Sequence, residues 1–170
     1  QDNLDDIMPI VRHADAVGAG VNLSVYTDFK NGNTSHLIRA EQLVRVEKVV
    51  ADLMAFKRRR RGVISNSDYY ITRIPRYVRG EMHEPCRSGE TTIHIDPVGR
   101  VRRCPDFPAD EHWSGYHSYE PIACNRCYYA CRGEAQAPLT LSRFRDLLAS
   151  PTPHRTLLVS APETRCEALP

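Results

Sequence analysis

Three cysteines, Cys124, Cys127 and Cys131, fall within eight residues, and that crowding constrains the chain more than any other feature. Three more complete the set, Cys86, Cys104 and Cys166, and none lies in the first 85 residues. An even count fits three disulfides, but such frameworks belong to short secreted chains with a leader. This chain has 170 residues and no basic-then-apolar segment at its start, so a cytoplasmic, reducing setting is expected. Closely spaced thiols in that setting point to a metal ion or a metal cluster. The first residue is Gln1, which fits a processed start or a piece of a longer chain.

Residues 1 to about 80 read as alternating helix and strand. Ile7, Ile10, Val11, Ala14 and Val17 recur at helical spacing, with Pro9 in the first turn and Gly18 and Gly20 as the stop. Residues 21–26 read as a short buried strand, and the polar loop 28–35 follows. Leu43, Val46, Val50, Leu53 and Phe56 form one stripe of the clearest helix, supported by a Glu41–Arg45 pair. That helix ends in Lys57-Arg58-Arg59-Arg60-Arg61 before Gly62, cations that suit its C-terminal dipole and read as a solvated end. Val63-Ile64-Ser65 reads as a second strand, so strand, helix and strand make a parallel unit.

After Gly80 the texture changes. Residues 91–95 alternate with period two, Asp96-Pro97-Val98-Gly99 is turn chemistry, and Arg100 to Cys104 returns as a second strand. Cys86 stands just before this hairpin and Cys104 at its far end. Residues 105–123 read as loop. Residues 139–149 read as a short amphipathic helix with Leu141, Phe144, Leu147 and Leu148 inward, and a proline-rich tail follows from Ser150.

Cys124-Asn125-Arg126-Cys127 is a CxxC, a spacing used by zinc knuckles, redox pairs and iron–sulfur ligands alike. A structural zinc module is one reading, since Zn²⁺ takes four thiolates tetrahedrally. Zinc ribbons usually carry two CxxC knuckles, however, and this chain pairs one CxxC with two widely spaced single cysteines. His83, His94, His112 and His117 stand near the cysteine segments, and imidazole is a ligand type that replaces a thiolate, although a surface or packed histidine is the commoner case. Asn22, Asn66, Asp28, Asn31 and Asn33 lie at or after the expected strands, where barrel enzymes place site residues. No residue stands out as a catalytic acid, base or nucleophile.

Cys86, twelve residues, Gly99, four residues and Cys104 match the pattern C-x9-15-G-x4-C. This resembles the start of the SPASM or "twitch" extension of the radical S-adenosylmethionine enzymes. The following Cys124-x2-Cys127-x3-Cys131-Arg132-Gly133-Glu134 is similar to that extension's later cysteine group. The resemblance implies an α/β fold: C-terminal strand–helix units of a partial (β/α) TIM-like barrel over 1–80, then a small β-hairpin-plus-helix cluster module over 81–149, then a flexible tail over 150–170. It also implies one auxiliary [4Fe–4S] cluster, for substrate binding or electron transfer. Its ligands come from Cys86, Cys104, Cys124, Cys127 and Cys131. A twitch-type site uses Cys124 and Cys127, and an altered SPASM site brings in Cys131.

The chain departs from the family pattern in three places. The full SPASM pattern has seven cysteines with a middle spacing of x5, where this chain has x3 between Cys127 and Cys131; its next cysteine falls where this chain has Ala135, and Cys166 lies far out in the tail. The CxxxCxxC triplet that binds the S-adenosylmethionine-cleaving cluster does not occur. The resemblance therefore implies the C-terminal part of such an enzyme, inactive by itself. S-adenosyl-L-methionine and a second [4Fe–4S] cluster are expected only in the full-length enzyme. The expected partner is a peptide or small-molecule substrate. A net charge of +2 is too balanced for a nucleic-acid binder defined by bulk charge, and no apolar stretch nears the roughly 18 residues of a membrane span.

Overall fold

A computed structural model describes residues 3–29, 31–82, 84–106, 111–112, 122 and 124–149. Helix α1, Ile7–Val17, buries Val11 and Ala14 and ends at Gly18, whose φ of 74° no β-carbon opposes. The chain then runs extended through residues 21–26. A 3-10 turn, Ala40–Gln42, leads into α2, Leu43–Arg59, which buries Val46, Leu53 and Phe56 against α1 and the extended segment. Arg45 of α2 pairs with Asp5 at 2.7 Å rather than with Glu41, which lies in the 3-10 turn before the helix.

The two expected strands shrink to one parallel bridge, Val21 with Ile64. The N–H of Val21 donates to Val63 O at 2.7 Å, and the N–H of Ser65 donates to Val21 O at 3.0 Å. The ladder stops there because the chain turns into α3, Asp68–Val78, whose N-cap Ser67 accepts the N–H of Tyr70. A side chain supplies the next rung. The amide of Asn66, fully buried, accepts the Leu23 N–H at 2.6 Å and donates to Leu23 O at 3.0 Å. Asn66, read from the sequence as a possible site residue, thus copies a peptide group. Asn22 donates to the Ser65 hydroxyl, while Asp28, Asn31 and Asn33 build the turns of their own loop.

Helix α3 escaped the sequence reading. Pro75 sits inside it, which removes a donor and reads as a helix breaker. Tyr70, Ile71 and Ile74 nevertheless fall on one face and bury together. This burial outweighs the lost hydrogen bond. Beyond α3 the expected hairpin is present. Strands β1, His94–Ile95, and β2, Arg100–Arg102, pair antiparallel with Ile95 opposite Val101. The Asp96 carboxylate accepts the N–H groups of Val98 and Arg100 across the turn, and Gly99 takes φ 81°. A third strand, β3, Glu111–His112, joins β2 within the stretch expected to be loop. Helices α4, Ala130–Gln136, and α5, Leu141–Leu148, complete the described chain. The architecture is mixed: helices around one parallel bridge, with a three-stranded antiparallel sheet in the order β1-β2-β3.

Helix α5 reverses the expected orientation. Leu141, Phe144 and Leu148 are exposed, not inward, and the side chain of Leu147 lies outside the described residues. Its polar side faces the body because a buried cation waits there. Lys57, 2% exposed, donates to Asn66 O at 2.6 Å and to Asp68 at 2.9 Å, and forms an ion pair with Asp146 of α5 at 2.6 Å. Arg61 also reaches Asp146, and Ser142 donates to Asp68. Arg60 pairs with Asp15 of α1. Lys57, Arg60 and Arg61 of the basic run are therefore held in ion pairs, while Arg58 and Arg59 are exposed as a solvated end would be. A buried ammonium must be matched by carboxylates, and that requirement overrides the apolar stripe of a short helix.

Burial raises the proton affinity of Asp68, but Lys57, Ser142 and Arg61 outweigh it and leave the carboxyl below its ordinary value of 3.8. A lowered folded value gives stability that is complete above the unfolded one and lost as pH falls through the folded one. Acid titration followed by hydrogen exchange is expected to loosen α5 as pH drops below about 4, before the rest of the fold opens. Lys57→Met is expected to cost about 3 kcal/mol in urea unfolding. That is the low end for breaking a buried pair, because half-exposed Asp68 regains water.

Candidate functional site

The cysteine region is assembled by backbone pairing between segments distant in sequence. The N–H of Cys86 donates to Cys124 O at 2.7 Å, and the N–H of Ile122 donates to Ser88 O at 2.9 Å. The buried Ser88 hydroxyl donates to the carbonyl of Arg103, next to Cys104. These bonds bring the segment of Cys86, the end of the hairpin and the CxxC together. Helix α4 then carries Cys131 in its first turn.

The five described thiols lie on the segments that these bonds join. Cys86 and Cys127 are buried, and Cys104, Cys124 and Cys131 are half-buried; all five are free of disulfides. Burial pushes up the thiol of Cys86, and nearby Cys104 and Cys124 add to it. Cys104 is raised by burial and by Cys127 and Cys124, and Cys127 by burial and by Cys86 and Cys124. Burial, with Cys127, Cys104 and Cys86, pushes Cys131 up to about 11. Such mutual effects require short separations, since charge interaction falls with distance.

The backbone N–H of Ser88 donates to Cys86 Sγ at 3.4 Å. The backbone amides of Asp106, Tyr129 and Arg132 likewise pull the thiols of Cys104, Cys127 and Cys131 downward against burial. Each such bond favours the thiolate over the thiol. The strongest feature is Arg132. It is 1% exposed, its guanidinium donates to the carbonyls of Cys127 and Glu84, and its Nε has no partner. No carboxylate pairs with it among the described residues. Its charge favours the thiolates of Cys86 and Cys127. A buried, uncompensated cation is costly, so the group needs negative charge beside it, and thiolates holding a metal centre supply that.

Thiols beside a buried cation are the donor chemistry that metal–thiolate centres use. Among the described residues, however, no group of three or more His, Cys, Asp or Glu side chains is placed to hold a metal ion. One tetrahedral zinc needs all its sulfurs at about 2.3 Å from one point. A four-iron cluster holds each thiolate on its own iron and accepts a wider cage.

Tyrosines lock this group to the rest of the chain. Tyr128, next to Cys127, stacks on Tyr70 with ring centroids 4.9 Å apart and on Tyr77 at 5.7 Å. The Tyr70 hydroxyl donates to Tyr128 O, and the Tyr128 hydroxyl donates to Tyr70 O, both at 3.2 Å. Gly133 lies against the Tyr70 ring so closely that a β-carbon would run into its carbons. Glu134 accepts the N–H of Ser67 at the start of α3 at 2.8 Å. Sequence reasoning missed the roles of Arg132 and Gly133. The only available signal was their position directly after Cys131.

Of the histidines, His94 lies on β1 opposite Arg102, with a buried Nε2 that lacks a partner among the described residues. His83, His117, Cys166 and the tail from 150 lie outside the described residues, as does the side chain of His112. No described helix is long and apolar enough to cross a membrane. No family model matches the chain, and no curated protein or solved structure matches it.

Gly133→Ala is expected to cost about 1–3 kcal/mol, because the rigid Tyr70 ring cannot turn aside. Urea unfolding measures the loss. The near-ultraviolet circular dichroism of the tyrosine stack should weaken with it.

Proposed function

We propose that this chain is the C-terminal part of a radical S-adenosylmethionine enzyme, and that its cysteine group holds one auxiliary [4Fe–4S] cluster. The observation that carries this reading is Arg132, a buried cation without a carboxylate, set among five cysteines. Cys86, Cys104 and Cys127, each with a backbone amide favouring its thiolate, are three of the ligands, and Cys124 or Cys131 is the fourth. When bound, such a cluster supplies one-electron chemistry at a potential set by charge, hydrogen bonds to sulfur and solvent exposure.

The chain's own residues set those terms. The N–H groups of Ser88, Asp106 and Tyr129 stabilise negative charge on sulfur, and Arg132 does so from within the protein. Tyr128 and Tyr70 keep water from the inner side of the group, where both are fully buried. Substrate contact and the S-adenosylmethionine-cleaving centre belong to the rest of the enzyme, and the substrate class is a peptide or a small molecule. The cellular setting that suits such a centre is the reducing cytoplasm.

Anaerobic reconstitution with iron and sulfide tests this reading. About four irons and four sulfides per chain, with visible absorption that bleaches on reduction, are expected. Cys86→Ala and Cys127→Ala should abolish that absorption, and one of Cys124→Ala and Cys131→Ala should leave it intact. Binding of about one zinc, with no sulfide taken up, overturns the proposal in favour of a structural zinc module.

A further inference from the structure

The cysteine group is closed on one side and open on another. Tyr70 and Tyr128, both fully buried, cover its inner side. Asn125 and Arg126, the two residues between Cys124 and Cys127, are exposed. The CxxC turn is therefore a side from which solvent reaches the group.

Arg126 is held in place at this turn. Its guanidinium lies over the Phe29 ring, 4.3 Å from the centroid. One tyrosine anchors both halves of the stack. The Tyr77 hydroxyl donates to Arg126 O at 3.2 Å. Thr27, 4% exposed, bonds the same hydroxyl and accepts the Phe29 N–H at 3.3 Å. Tyr77 in turn stacks on Tyr128, the neighbour of Cys127.

A ring occupies the face of a guanidinium and leaves its N–H edges free. Those edges meet no carboxylate among the described residues, whereas Arg45, Arg79 and Arg100 each reach one. Arg58 and Arg59 are exposed too, but among the described residues they have no ring beneath them. A cation already placed by a ring loses less freedom when it binds an anion.

We propose that Arg126 is a substrate-binding residue and that the group it takes is a carboxylate, docked edge-on with two N–H donors to its two oxygens. The two planar forks match in that pairing. One guanidinium balances one charge. Asp28, next to Phe29, adds a negative charge that reaches Tyr77, and this works against a phosphate dianion at the same place. The substrate is then an acid, either a peptide with a free carboxylate or a small carboxylic acid. This assignment rests on the reading of the cysteine group as a cluster site.

Saturation-transfer NMR on the acetyl methyl of N-acetylglycine tests it, with the whole reduced chain before and after loading with iron and sulfide. A saturable signal is expected, absent for the neutral N-acetylglycinamide. Arg126→Gln should weaken binding at least about tenfold with circular dichroism unchanged. Phe29→Leu keeps the guanidinium but removes its platform, and should weaken binding about threefold. A signal that survives Arg126→Gln, or that Arg58→Gln reduces equally, overturns the proposal. So does displacement of the probe by inorganic phosphate at lower concentration than by acetate. Acetate that displaces the probe at equal concentration marks a small acid as the source of the carboxylate, and acetate several-fold weaker marks a peptide terminus. Iron and sulfide content of the same sample separates the two readings. A loaded chain that binds no carboxylate ends this proposal alone, and carboxylate binding to a chain that takes up no cluster ends the cluster reading alone.

Discussion

The whole described structure turns on the Tyr70 side chain. Its hydroxyl accepts the N–H of Val25 and donates to the carbonyl of Tyr128, and its ring lies between Tyr128 and Gly133. One residue of α3 thereby ties the extended segment after α1 to the cysteine-bearing segment more than fifty residues later. Burial raises its phenol to about 12, so it stays a neutral donor throughout the range in which the protein works. Because ring, hydroxyl and glycine contact are all used, no smaller or purely apolar residue does the same work.

Two buried cations show how differently charge is handled in the two halves. Lys57 is matched on the spot by Asp68 and Asp146, and the match orients α5 with its polar side inward. Arg132 meets two carbonyls, and its charge acts on the thiols of Cys86 and Cys127, with no carboxylate paired to it among the described residues. The first arrangement is complete within the polypeptide. The second leaves a buried cation that favours thiolate over thiol at its neighbours.

Much of the local structure was legible from sequence. The period of the apolar residues placed α1 and α2, Gly18 marked the end of α1, and the Asp96–Gly99 turn placed the hairpin. The illegible parts share one cause. Helix α3 hid behind Pro75, the second rung of the bridge came from the Asn66 side chain, and α5 turned its apolar stripe outward. In each case a contact remote in sequence outweighed the local rule.

The sequence by itself determined which residues form regular elements, because helix and turn preferences act over a few neighbouring residues. It also offered the thiols as the candidate donors, since spacing and residue type are properties of the chain alone. Only the tertiary structure decided that the segments of Cys86, Cys104 and the CxxC meet through backbone hydrogen bonds, and that Arg132 is buried close to Cys127. Convergence, burial and pairing depend on segments that meet after tens of intervening residues. Their free energy comes from desolvation and long-range hydrogen bonds that no local window contains.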